Sequence, residues 1–248
     1  MSRGRWPVAG NPSDGRLAAL LFALAWISYA YFFHGGSWGP NAALDMTRAI
    51  VEQHRVEIDD YRANTGDWAS ANGHFYLGKN PGSGLFAVPI YFVIHKLFPN
   101  AFDSFAGAQA AAHAMTALSF SLFAALGVAL LFHWMRRYAP PAAAFGAAVV
   151  YALGSLIFLY GSTANAQVIV ASCYATAVFA IERATRLGGK RWWLLAGFAA
   201  GYAVLSGTDS DFRGRRLSGV SRRSTGRVAQ RSAFRGGRRS GGNRDGGV

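Results

Sequence analysis

The run from Ala106 to Met135 is mostly apolar and holds no Asp, Glu, Lys or Arg, and Arg136 and Arg137 follow it directly. As a helix it is long enough to cross a bilayer with tilt. Leu17 to Phe33 (LAALLFALAWISYAYFF) is a second uncharged run. At about 1.5 Å per residue it covers roughly 25 Å, enough for a thin bilayer once flanking residues join in. Further apolar runs occupy residues 141–160, 165–182 and 192 onward. The chain is 52% hydrophobic and only 15% charged, and its apolar residues fall in blocks, which is a membrane composition. The predicted fold class is therefore all-α, a polytopic transmembrane helical bundle. A large first periplasmic loop, residues 34–105, carries interfacial helices.

Charge orients the scheme. Residues 1–16 hold Arg3, Arg5 and Arg16 and predict a cytoplasmic N-terminus before a retained first span, since no A-x-A-like cleavage site follows the aromatic end of that span. Leu85 to Phe98 (LFAVPIYFVIHKLF) is short, contains Pro89 and ends in His95 and Lys96. If it crossed, Arg136 and Arg137 would lie outside, as would Arg183, Arg186, Lys190 and Arg191. If it rests on the outer leaflet, all of them lie inside. The positive-inside rule selects the second arrangement.

Residues 207–248 differ from the rest. They hold 11 arginines and three aspartates, and supply +8 of the net +13 charge. The tail is Arg/Gly/Ser-rich with few aromatics, so it neither builds a core nor suits stacking-based nucleic-acid binding. It would also export eleven arginines against the charge rule. We expect an out-of-frame translation beginning near Ser206 and a longer native protein. The single cysteine, Cys173, excludes an internal disulfide and predicts a buried small hydrophobe.

Residues 34–83 of the outer loop hold six carboxylates against four Lys/Arg. Ala43 to His54 has helical periodicity, with Leu44, Thr47, Ile50, Val51 and His54 on one side, as expected of a helix lying on a bilayer surface. Next come two turn-rich stretches, IDDYRANTGDW and NGHFYLGKNPGSG. Lys79, beside Gly78 and Gly82, is the best candidate for a phosphate contact, with headgroup snorkelling as the plainer role. Asp45 is a candidate base, or else an i,i+3 partner of Arg48. Asp59 and Asp60 are candidate bases, or else turn formers before Tyr61. His74 is a phosphate or acceptor contact, or a solvated loop histidine. His113 sits inside a span, where it is either functional or an interhelical hydrogen-bonding group. There is no P-loop, no H-E-x-x-H and no strand-to-helix G-x-G-x-x-G, so a nucleotide or zinc enzyme has no support.

The order of these pieces resembles the N-terminal half of the GT-C membrane glycosyltransferases. The resemblance is to the protein-mannosyltransferase-like enzymes, including aminoarabinose transferases and the RgtA/B/C/D-like group. TRAIVE places Arg48 and Glu52 on the family's loop helix, and FYLGKNPGSG places Phe75, Tyr76, Lys79 and Pro81 on its lysine-proline element. HKLFPN ends the short helix. The resemblance implies transfer of a sugar from a polyprenyl-phosphate donor to a lipid, glycan or protein acceptor at the periplasmic face of a bacterial inner membrane. It implies one of Asp45, Asp59 or Asp60 as catalytic base, with Lys79, Arg48 and His74 toward the donor phosphate and Tyr76 and Asn80 in the substrate loop. No cofactor or metal is expected, and the partners are the lipid-linked sugar and membrane lipids, not nucleic acid. At the positions of the family's acidic pair this chain has Gly39 and Pro40. The alternative is a non-enzymatic membrane protein, either a lipid-binding scaffold or a transporter fragment.

Overall fold

The computed structural model describes residues 12–207; the reading of residues 208–248 as an out-of-frame tail lies outside them. Nine α-helices are present among the described residues: α1 (Pro12–Tyr31), α2 (Trp38–Gln53), α3 (Gly82–Leu97), α4 (Phe105–Met115), α5 (Leu122–Met135), α6 (Pro141–Leu153), α7 (Leu156–Gly161), α8 (Ala166–Leu187) and α9 (Lys190–Gly207). A π-helical stretch, Thr116–Ser121, joins α4 to α5, so Phe105–Met135 is one continuous rod. Two helices are long and apolar enough to cross a membrane, Phe105–Met135 and Ala166–Leu187. The all-α expectation needs one correction. A two-stranded antiparallel hairpin, β1 (Trp68–Ala71) and β2 (His74–Leu77), sits in the loop, with Trp68 opposite Leu77 and Ala71 opposite His74. Asn72 and Gly73 both take positive φ, 53° and 83°, the two-residue turn that an Asn-Gly pair favours.

The apolar run 141–160, expected as one helix, is two. Backbone pairing of α6 ends at Gly154, and Ser155 then caps α7 by accepting from the Ile157 amide at 3.2 Å. A hydroxyl that satisfies the next helix's free N–H groups makes a restart there favourable.

Contacts at both ends make α1 antiparallel to the α4–α5 rod. At one end Arg136 donates to Asp14 at 2.8 Å, both residues being only 3% exposed. At the other, His113 hydrogen-bonds the Ala30 carbonyl at 2.7 Å and stacks on Phe33 with ring centroids 4.7 Å apart. His113 therefore fulfils the interhelical role. The segment between α1 and α4 thus leaves and returns at the same end of the bundle. Arg137 pairs with Glu182 and Arg186 also bonds Glu182, so the basic residues after α5 and within α8 share the Asp14 end.

Packing inside the bundle relies on small residues, as where apolar helices must approach without help from water. Ala177, Ala180 and Ala184 of α8 and Ala196, Ala199 and Ala203 of α9 are buried, and these helices lie side by side. Cys173 is buried as expected. A Cβ on Gly127 of α5 would stand 2.8 Å from Ser172 Oγ and 3.2 Å from Ser172 Cα on α8. The Cα cannot yield as a side-chain tip can, so Gly127→Val is expected to destabilise the fold by about 1–3 kcal/mol. Thermal unfolding in detergent reads this directly; an unchanged midpoint would show that α5 and α8 do not meet there.

The loop has a small core of its own: Ala42, Met46, Ile58 and Leu77, covered by Ile50 and Phe75. It holds a 3-10 turn, Asp59–Asn64, and the hairpin against α2. Helix α2 starts at Trp38, well before Ala43, because Pro40 is tolerated in a first turn. It stops where His54 adopts φ 55° and its amide returns to the Ala49 carbonyl. Of the side expected from the sequence only Thr47 is fully buried; Ala42, Ala43, Asp45, Met46 and Ala49 are the other buried residues. Thr47 donates to the Gly84 carbonyl at 2.7 Å and so ties α2 to α3.

Candidate functional site

A cavity of about 390 Å³ lies between α2, the end of the 3-10 turn, the segment following α1, and the start of α4. Asp45, Arg48, Asn64, Asn41, His34 and Gln109 supply its polar wall, while Phe33, Phe102 and Phe105 supply much of its apolar one. Asp45 is the one acidic residue among the described residues that line it. Its side of α2 faces inward because Ala42, Met46 and Ala49 pack beneath it.

Asp45 is 4% exposed. Its Oδ1 accepts from Asn64 Nδ2 at 3.1 Å, and its Oδ2 is buried with no hydrogen-bond partner. Burial pushes the carboxyl up to about 7; the Asn64 hydrogen bond and the Arg48 charge oppose the rise, and the Glu52 charge adds to it. A buried carboxyl with one unmatched oxygen is an arrangement selected against in a merely structural position, and a proton affinity near neutrality suits a general base.

Arg48, one turn along α2, is held on three sides. Its Nε donates to Glu52 at 2.9 Å, and its guanidinium carbon lies 4.3 Å from the Tyr61 ring centroid and 3.7 Å from that of Phe102. Glu52 also accepts from Tyr61 at 2.8 Å and from Tyr91. The i,i+3 pair of Asp45 with Arg48 is thus replaced by the i,i+4 pair of Arg48 with Glu52. A cation fixed between two rings and a carboxylate is preorganised to meet an anion at the cavity wall.

The other sequence candidates lie elsewhere. Asp59 bonds His74 at 2.8 Å and accepts from the Phe75 amide at 2.7 Å, joining the turn to the hairpin. These hydrogen bonds hold its carboxyl below the ordinary carboxylate range. Asp60 pairs with Arg55 at 2.5 Å on the surface. Tyr76 donates to Glu57 at 3.2 Å, and Asn80 donates to the Val204 carbonyl at 3.3 Å. None of Asp59, Asp60, His74, Tyr76 and Asn80 lines the cavity. Lys79 lines a smaller recess that shares Pro40 and Ala164 with it, and pairs with Asp67 at 2.9 Å. A Cβ on Gly39 would lie 2.9 Å from Lys79 Nζ and 3.3 Å from Asp67 Oδ2. The Asp67 carboxylate therefore stands where a longer side chain at position 39 would reach. Asn64, Asn41 and Asp67 were not singled out from the sequence. Asn and Asp in a turn-rich stretch read as turn formers, and nothing local separates those that turn from those that reach a cavity.

Residues 114–210 match the family model of the dolichyl-phosphate-mannose-protein mannosyltransferases. The match agrees with a partial member of the GT-C glycosyltransferases. It covers α5 to α9, and the motifs TRAIVE and FYLGKNPGSG lie in the loop before the matched residues. Over those residues the chain is similar to a membrane glycosyltransferase family, and two helices among the described residues are long and apolar enough to span a membrane. No curated protein and no solved structure matches the chain.

Proposed function

We propose that the protein transfers a sugar from a polyprenyl-phosphate donor to an acceptor hydroxyl at the periplasmic face of a bacterial inner membrane. The observation that carries this is the Asp45 carboxyl: buried, bonded through one oxygen only, and set in the wall of a cavity beside the fixed cation Arg48. Asp45 takes the proton of the acceptor hydroxyl. The acceptor oxygen forms a bond to the anomeric carbon, the bond from that carbon to the phosphate oxygen breaks, and its electron pair leaves with the phosphate. Arg48 stabilises the charge that develops there. Lys79, at the adjoining recess, is a second cation for the same lipid phosphate, with Asp67 holding it in place. Asp59 and His74 tie the 3-10 turn to the hairpin, and Asp60 pairs with Arg55.

The topology proposed with this function has five spans, a cytoplasmic N-terminus and α3 on the outer leaflet. The antiparallel pairing of α1 with the α4–α5 rod supports it, as does the gathering of Arg136, Arg137 and Arg186 at one end.

The test combines reconstitution with labelling. Undecaprenyl-phosphate sugars presented to the protein in vesicles should yield glycosylated acceptor, and a failure across donors and acceptors counts against transfer. Lys190→Cys should react with an impermeant thiol reagent only from the cytoplasmic side, and Ala71→Cys only from the periplasmic side. Labelling of both from the same side would overturn the topology.

A further inference from the structure

Asp45 owes its orientation to a residue from a different element. Asn64 is the last residue of the 3-10 turn, nineteen positions away in sequence, and its side-chain amide reaches Asp45 Oδ1 at 3.1 Å. The turn end that carries Asn64 is clamped to the first turn of α2 by two hydrogen bonds. Asn41 Nδ2 donates to the Asn64 carbonyl at 2.9 Å, and Thr65 Oγ1 donates to the Trp38 carbonyl at 2.6 Å. Helix α2 thus holds both the carboxyl and, through Asn41 and Trp38, the amide that orients it. Both Asn41 and Asn64 line the cavity with Asp45.

We propose that Asn64 is the positioning residue of this site: its amide, anchored through Asn41, occupies one oxygen of Asp45 and leaves the other, Oδ2, as the oxygen that takes the acceptor proton. This rests on Asp45 being the base of the proposed transfer. The carboxyl has two chemically equal oxygens, and an unanchored one turns freely between them. A single donor fixed to the same helix breaks that equality before substrate arrives, which is the preorganisation a base needs. The Asn64 amide also stabilises the ionised form and works against the burial that raises it.

The groups facing Asp45 are few. Arg48 and Glu52 lie on its own helix, and Arg48 is neutralised by Glu52. Tyr61 of the turn and Tyr91 of α3 both donate to Glu52 and not to Asp45. His34, from the segment after α1, lines the same cavity and hydrogen-bonds the Phe32 carbonyl at 3.2 Å. Asn64 is thus the one side chain among these that bonds Asp45 directly.

The experiment needs no substrate. In detergent-solubilised protein, the carboxylic C=O stretch of Asp45 is titrated by difference infrared spectroscopy and assigned by its loss in Asp45→Asn. Asn64→Ala should raise the proton affinity of Asp45 by about tenfold, the effect of one lost hydrogen bond to a charged oxygen. Asn41→Ala should move it in the same direction by less. Asn64→Ser, whose hydroxyl is too short to span the gap, gives the same shift if the alanine variant does not fold. A midpoint unmoved in Asn64→Ala or Asn64→Ser overturns the proposal. In the transfer assay, the acid limb of the kcat/KM profile should move to higher pH with Asn64→Ala, with activity recovering at alkaline pH; a uniform loss at every pH would indicate a structural role only. Wild-type transfer by Asp45→Asn would instead sink the assignment of the base while leaving the titration result standing, so the two failures are distinguishable.

Discussion

Asp45→Asn is expected to abolish sugar transfer and, at the same time, to make the protein more stable above neutral pH. The loss of transfer should be about 10²–10⁴-fold, the contribution of a positioned general base, with donor binding retained because Arg48 and Lys79 are untouched. The stability gain follows from linkage. Burial first, then the Glu52 charge, raises the Asp45 carboxyl from 3.8 to about 7 against the Asn64 hydrogen bond and the Arg48 charge. A group whose folded value is raised favours the folded state when protonated. That stabilisation is complete below the unfolded value and is lost as pH rises through about 7. Wild-type protein should therefore melt progressively lower from about pH 4 to pH 8, by up to roughly 4 kcal/mol in all and with little further change above pH 8, whereas the Asn variant should change little. An inactive variant that is also more stable in alkali is what a group retained for chemistry should give. Parallel wild-type and Asn melting curves across this range would show that Asp45 is not a buried, raised carboxyl. Full transfer by the variant would remove it from the mechanism.

Sequence patterning reaches the bundle and stops at the loop. Phe105–Met135 and Ala166–Leu187 were legible as helices long and apolar enough to cross a membrane because length and composition need no tertiary information. Charge alone led to the expectation for residues 85–98, and the Asp14–Arg136 and His113–Ala30 contacts show only that α1 and the α4–α5 rod run antiparallel. The break at Gly154–Ser155 was missed because apolar residues on both sides mask a capping serine. The Asn72–Gly73 hairpin was within reach, since Asn-Gly is a strong two-residue turn signal, but its strands are four residues each and barely alternate. In α2 the side marked by Leu44, Thr47, Ile50, Val51 and His54 overlaps the buried one at Thr47. Alanines, Met46 and Thr47 form the contact with α3 and the hairpin, while Leu44, Ile50 and Val51 remain only partly covered. The burial of Asp45 was beyond any local pattern. It depends on Asn64 and Asn41 meeting across a turn, and on Phe102 arriving from just before α4. The same holds for Asp67, whose place beside Lys79 depends on the absence of a side chain at Gly39.

Glu52→Gln should have the largest structural effect in the loop. Burial alone would raise the Glu52 carboxyl, but hydrogen bonds from Arg48, Tyr91 and Tyr61 outweigh it and hold it below its ordinary value. Three donors converge on this carboxylate from α2, α3 and the 3-10 turn, so it joins the elements that enclose the cavity. Glutamine keeps the shape, offers one accepting oxygen instead of two, and leaves Arg48 without a counter-charge between Tyr61 and Phe102. Breaking a largely buried pair in this way costs about 2–4 kcal/mol. The sign with pH is opposite to that of Asp45. A carboxyl held low stabilises the fold above its unfolded value, and the effect disappears as pH falls through its folded value. The deficit of Glu52→Gln relative to wild type should therefore be full at neutral pH and shrink steadily in acid. Because Arg48 loses its fixed position, transfer should fall mainly through weaker donor binding, seen as a raised KM for the lipid-linked sugar. Glu52→Gln melting like wild type at neutral pH would mean that Arg48 is not held by Glu52, and the preorganised phosphate contact would go with it.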